Sequence, residues 1–134
     1  MKFQPDTLAG INNITHVDTD SLRVNGEPHA RSVLIPWVGT VQPWEADAVP
    51  AGFDVLSRAH FDAILAFEPE VVIFGSGARL RFVPPALYRG LIERRIGLET
   101  MDSGAACRTY TVLANEGRRV VAAILLGAQD APRG

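Results

Sequence analysis

Val71-Val72-Ile73-Phe74-Gly75-Ser76-Gly77 is the stretch on which the fold of this chain turns. Its apolar run, rich in β-branched residues, is what a strand covered on both faces requires. A glycine turn follows at once. Downstream, Pro84-Pro85 opens a helix at its first turn, with Leu87, Tyr88, Leu91, Ile92 and Ile96 on one face. Gly97 is placed to end that helix in the left-handed position after its last turn. Leu98-Glu99-Thr100-Met101 is strand-like, and Asp102 caps a third helix running to about Asn115 and closed by Gly117. Val120 to Leu126 is the last strand, apolar enough to be central.

Upstream, Ser57 is an N-cap, with Leu56 and Phe61 spaced as a hydrophobic staple. Phe61, Ile64 and Leu65 share a stripe, and Pro69 stops that first helix. Strand and helix alternating over such short connections imply βαβ crossovers. The fold class is therefore α/β in three layers, with the crossovers in the C-terminal two thirds. The N-terminal third reads as a β-hairpin. Ile14–Val17 and Leu22–Val24 flank a turn, and Asn25-Gly26 is the dipeptide favoured by a type I′ turn. The return strand is expected to run on to Ile35, with strand material at Arg31–Ile35 and Val38–Val41. Pro36, Pro43 and Pro50 make that region irregular.

At 134 residues and 14.5 kDa, one domain spanning 1–134 is expected. Hydrophobic residues at 47% and charged residues at 21% are ordinary globular usage, which excludes a mainly disordered chain. A net charge of -2 argues against a general nucleic-acid partner. Lys2 is the sole lysine, so Schiff-base chemistry and a P-loop lysine are excluded. The start, Met1 to Asp6, has no apolar h-region, and Val120–Leu126 is too short for membrane insertion. The expected location is the cytoplasm. Trp37 and Trp44 are candidates either for a homodimer face or for the core.

Six residues carry what chemistry the sequence offers: Gly75, Ser76, Gly77, Asp102, Cys107 and Arg108. The glycine turn lies at the carboxyl end of a strand, where open α/β sheets bind ligands. It is no dinucleotide fingerprint, because Leu80 stands where the third glycine belongs and no helix follows directly. No cofactor is expected. The start of the third helix offers backbone N–H groups and a positive dipole end, but Asp102 as its cap competes for them. Cys107 lies beyond the first turn, so structural packing outweighs a nucleophilic role. Ala105, Ala106, Thr109, Val112 and Leu113 form the expected core stripe, leaving Arg108 off it as a solvated residue or an anion fork. Glu116 and Arg118 make a further charged pair. His16, His29 and His60 lack metal-ligand spacing, and Asp18-Thr19-Asp20 starts a calcium-type loop that Arg23 and His29 spoil. No metal is expected, and no catalytic constellation can be assembled.

The strand with Gly75-Ser76-Gly77, Pro84 to Leu87, Gly97 to Ser103, Ala106-Cys107-Arg108-Thr109-Tyr110, then Leu113, Glu116, Arg118 and Val120, form a recognisable set. In it the chain resembles a family of small proteins of unknown function that includes the mitochondrial complex I (NADH dehydrogenase) assembly factor 3. Ser76 and Ser103 replace the family's threonines and keep the hydroxyl, whereas Thr111 replaces an asparagine and loses the amide. The resemblance implies a mixed central sheet with one antiparallel strand, and a pocket near the glycine turn and the start of the third helix. It further implies a non-catalytic, assembly-factor-like role with a protein partner, such as a membrane-associated complex. The alternative is an anionic small-molecule site, or an enzyme, using the six residues above.

Overall fold

The computed structural model describes residues 10–18, 20–44 and 52–126. The readings of Met1 to Asp6 and of Pro50 lie outside them. A five-stranded sheet forms the middle layer. Its strands are β4 (Val33–Pro36), β5 (Gln42–Pro43), β6 (Val71–Gly75), β7 (Gly97–Met101) and β8 (Val120–Ile124), in the order β5-β4-β8-β6-β7. β6 runs parallel to both β7 and β8, while β4 pairs antiparallel with β8 and β5. The sheet is thus mixed, with β4 alone reversed.

Alternation along the strands divides the core in two. Val71 and Ile73 of β6 face α3 (Ser103–Asn115), meeting Ala106, Cys107, Tyr110 and Ala114. Val72 and Phe74 face the opposite layer, meeting Trp44, Phe61, Ile64 and Leu91 around the short helices α1 (Arg58–Asp62) and α2 (Arg89–Glu93). Both faces are covered, which is why β6 and β8 are apolar at every position. Trp44 is 2% exposed and makes edge-on contacts with Phe61 and Phe74, so the core holds it. Trp37 packs partly buried against both clusters.

β1 (Ile14–Val17), β2 (Leu22–Val24) and β3 (Glu27–His29) make a separate antiparallel sheet. Asn25 and Gly26 have φ of 55° and 85°, the left-handed pair that a type I′ turn needs. The expected return strand to Ile35 is corrected: it ends at His29, and β4 belongs to the other sheet. Ser32 marks the switch, its hydroxyl accepting the Leu126 N–H at 3.0 Å and its carbonyl accepting the Trp44 N–H at 2.8 Å. Val38–Val41 is not a strand either; Val38 makes one isolated bridge to Ile11.

The helices keep most of their signals. Ser57 caps α1, with His60 Nδ1 accepting the Ser57 N–H at 3.0 Å, and α1 continues into a 3₁₀ turn to Phe67. Leu56 and Phe61 share one core cluster, as a staple requires. The Pro84-Pro85 helix also begins with a 3₁₀ turn, Pro85–Tyr88, and Ile92 leaves its buried face with 52% exposure. Gly97 does not end it. Arg95 takes the left-handed role at φ 61°, and the Ile96 N–H returns to the Leu91 carbonyl at 2.9 Å, releasing Gly97 to start β7. Arg118 pairs with Glu70 at 3.1 Å, not with Glu116. Among the described residues no helix is long and apolar enough to cross a membrane.

Candidate functional site

The glycine turn and the tip of α3 meet at the carboxyl end of β6. They are joined by hydrogen bonds in both directions: Gly77 N–H donates to Ser103 Oγ at 2.9 Å, and Ser103 N–H donates to the Gly77 carbonyl at 2.8 Å. The Ser103 hydroxyl in turn donates to the Leu125 carbonyl at 2.8 Å, tying in the end of β8. Ser76 N–H donates to the Met101 carbonyl at 2.8 Å. The Ser76 hydroxyl has a single proton for the carbonyls of Arg79 at 2.7 Å and Met101 at 3.1 Å, and it accepts the Arg81 N–H at 3.0 Å. Gly75, Ser76 and Ser103 are all buried. These small polar residues organise the corner from within.

Outside the corner lies a hollow of about 290 Å³, walled by Gly77, Ala78, Asp102, Ser103, Gly104 and Arg108, with Val17 and Asp18 from β1 and its turn. A second hollow of about 270 Å³ adjoins it, walled by Ile14, Val17, Cys107, Arg108 and Thr111. The six sequence candidates therefore divide. Gly77, Asp102 and Arg108 share the first hollow, Cys107 reaches the second, and Gly75 with Ser76 lines neither. The core stripe expected on α3 is also corrected. Ser103, Ala106, Cys107, Tyr110 and Ala114 are buried, whereas Val112 is 56% exposed. That rotation still leaves Arg108 outside the core.

The electrostatics are mixed. Asp102 Oδ1 accepts the Ala105 N–H at 2.9 Å, and Ser103 N–H is already bonded, so two donors of the helix tip are engaged by the fold itself. The Asp18 carboxylate is held below its usual range by N–H groups of Asp20 and then Ser21. Arg108 thus faces two carboxylates across the hollow and is the only cation among its described walls. A guanidinium there can grip a carboxylate or phosphate, but the neighbouring acids weaken its pull on an anion. Val17, Asp18, Ala78, Ser103 and Gly104 are walls outside the six sequence candidates. Only the tertiary placement of β1 beside α3 brings the first two there.

Cys107 is 2% exposed, and burial pushes its thiol up to about 12, opposed more weakly by the Arg108 charge. Burial likewise lifts the Tyr110 phenol, whose hydroxyl donates to the carbonyls of Asn12 at 2.9 Å and Pro36 at 3.1 Å. Buried and with its pKa raised this far, Cys107 offers almost no thiolate at neutral pH to act as a nucleophile. The pH consequence has a definite sign. Above about pH 9 the unfolded thiol loses a proton that the folded one keeps, so stability falls as pH rises from about 9 towards 12. The expected slope from this group is up to about 1.4 kcal/mol per pH unit. Urea unfolding at pH 7, 9 and 10.5 measures it, and Cys107→Ala should flatten the decline. An identical decline in that variant contradicts the assignment.

These features define an α/β domain in three layers whose glycine turn and last helix are welded into one corner. The chain belongs to the family described as "Protein of unknown function (DUF498/DUF598)", which it matches over residues 14–125. It is 31% identical over 70 residues to the "13 kDa major membrane protein" of Francisella tularensis, covering 52% of this chain and 57% of that protein. It is 32% identical over 72 residues to NADH dehydrogenase [ubiquinone] 1 alpha subcomplex assembly factor 3 of Bos taurus, covering 52% of this chain and 39% of the bovine one. The alignment thus spans less than two thirds of both relatives. A crystal structure of a Bordetella parapertussis protein superposes with a TM-score of 0.79 at 29% identity, over 88% of this chain and 98% of that one.

Proposed function

We propose that the protein is a non-catalytic binding domain of assembly-factor type, which recognises a protein partner belonging to a membrane-associated complex. One observation carries this reading: the polar groups from which a catalyst would be built are engaged in holding backbone. Ser76, Ser103 and Asp102 each bond main-chain groups at the corner, and the Cys107 thiol is buried and protonated. The relatives named as assembly factors support it, as a source for the kind of role rather than for the partner. The mixed charge of the hollow favours this reading over an anionic small molecule. Affinity purification of the tagged protein from its native cells, with quantitative mass spectrometry, tests it. The expected result is a reproducible stoichiometric protein partner. Recovery of none overturns it, and a thermal shift on adding carboxylates or nucleotides that Arg108→Ala abolishes then assigns a small-molecule site instead.

A further inference from the structure

Phe82 and Leu80 are 71% and 52% exposed, and Phe82 is the most exposed large apolar residue among those described. They project from the segment 78–84, between the glycine turn and the 3₁₀ turn that precedes α2. A lone exposed leucine needs no explanation, but these two sit on a loop that the fold takes trouble to hold. Ser76 pins both its start, through the Arg79 carbonyl, and its middle, through the Arg81 N–H. The Arg81 guanidinium lies over the Phe53 ring at 4.2 Å, and Phe53 stacks on the core residue Phe74. Val83 is 6% exposed and plugs the far side into the core. The result is a fixed backbone that buries residue 83 and presents residues 80 and 82.

The charges that the loop itself carries, Arg79 and Arg81, are both positive. From Val71 to Ile92 the chain has no aspartate or glutamate and carries Arg79, Arg81 and Arg89, although the whole protein has a net charge of -2. We propose that this loop is the docking surface for the protein partner, received in an apolar groove rimmed by carboxylates. The proposal rests on the binding reading above and specifies its surface. Aromatic and arginine side chains on a preorganised backbone are what dominate interfaces, because little freedom is lost when they are covered. Opposite charge at the rim steers the approach and fixes the register. An anionic bilayer rewards the same side chains without needing the loop to be held in shape. The pinning therefore selects a shaped protein groove.

The test uses tagged full-length wild type, the double variant Leu80→Ser/Phe82→Ser, Arg79→Glu, and Val112→Ser as a control at another exposed apolar site. All four should melt alike by circular dichroism, since the altered side chains are on the surface. Partner recovery from native cells is expected to fall by at least about tenfold in the double variant and several-fold in Arg79→Glu, and to stay unchanged in Val112→Ser. A photo-crosslinking p-benzoylphenylalanine in place of Phe82 should join that same partner, whereas one in place of Val112 should not. If the double variant recovers the partner at wild-type level, the loop is not the surface, and the binding reading survives. Recovery of no partner by the wild type removes both. Flotation with phosphatidylglycerol–phosphatidylcholine vesicles that needs Phe82, with partner recovery unaffected, replaces the protein groove by a lipid surface.

Discussion

Gly75→Ala is expected to destabilise the protein by about 3 kcal/mol, lowering its melting temperature by roughly 10 °C. A β-carbon at this position would lie 2.8 Å from Ser103 Oγ, 2.9 Å from Ser103 Cα and 3.0 Å from Ile124 Cδ1. The isoleucine methyl can move; the serine backbone cannot move cheaply, because it is hydrogen-bonded to Gly77 and sits at the start of α3. The clash has three exits, each with a cost: tilting the helix, breaking the Gly77–Ser103 bonds, or pulling β6 out of register with β8. The same substitution at Gly97 serves as control, since the nearest atom a β-carbon would meet there is Val71 Cγ2 at 3.8 Å. Gly97→Ala should change stability by less than about 1 kcal/mol. Urea unfolding of the two variants decides the matter, and equal small effects would show that Gly75 is not a close-approach site.

Ser103→Ala should cost about 2–4 kcal/mol without any change of shape. Its hydroxyl accepts from Gly77 N–H and donates to the Leu125 carbonyl, at 2.9 Å and 2.8 Å, in a position that is 7% exposed. Removing it leaves both backbone groups without the partner they have here, and each buried unsatisfied group costs about 1–3 kcal/mol. The glycine turn, the helix tip and the end of β8 are then held together by fewer bonds, so the loop at residues 78–84 should loosen as well. A change below about 0.5 kcal/mol would mean that water satisfies these groups and that the corner is not sealed.

Periodic runs made the middle of the molecule legible in the sequence. Val71–Phe74 and Val120–Ile124 are apolar at every position because both faces of the sheet are covered, and Asp102 announces α3 by capping chemistry that is local to four residues. The neighbourhood of Gly75–Gly77 and Asp102 followed from the motif resemblance. The errors arise where tertiary contacts override local signals. Nothing near Ala30 tells the chain to leave one sheet for the other; that switch depends on Ser32 meeting Leu126 and Trp44, far along the sequence. Gly97 was the better local candidate for a left-handed residue than Arg95, yet strand pairing with Val71 claimed it. On α3, Val112 looks like core and Tyr110 looks amphipathic. The buried carbonyls of Asn12 and Pro36 give the tyrosine hydroxyl its partners, so the tyrosine goes in and the valine stays out.

The same distinction governs the site. Asp18 could be weighed from sequence only as part of a calcium-type loop, because its true neighbours, Asp102 and Arg108, are more than eighty residues away and reach it through the packing of β1 on α3. The surface role of Leu80 and Phe82 is illegible in the sequence for the opposite reason. Exposure of an apolar residue is visible only once the loop that carries it has been placed.

Amide hydrogen exchange of the native protein, read residue by residue by NMR, bears most directly on whether the glycine turn, the helix tip and the start of the 78–84 loop behave as one rigid corner. The Gly77, Arg81 and Ser103 amides should exchange about as slowly as those in β6, and all three should speed up together in Ser103→Ala. Gly77 and Arg81 exchanging orders of magnitude faster than β6 in the wild type would contradict the account, since a corner that opens freely can hold neither the hollow nor the loop in place.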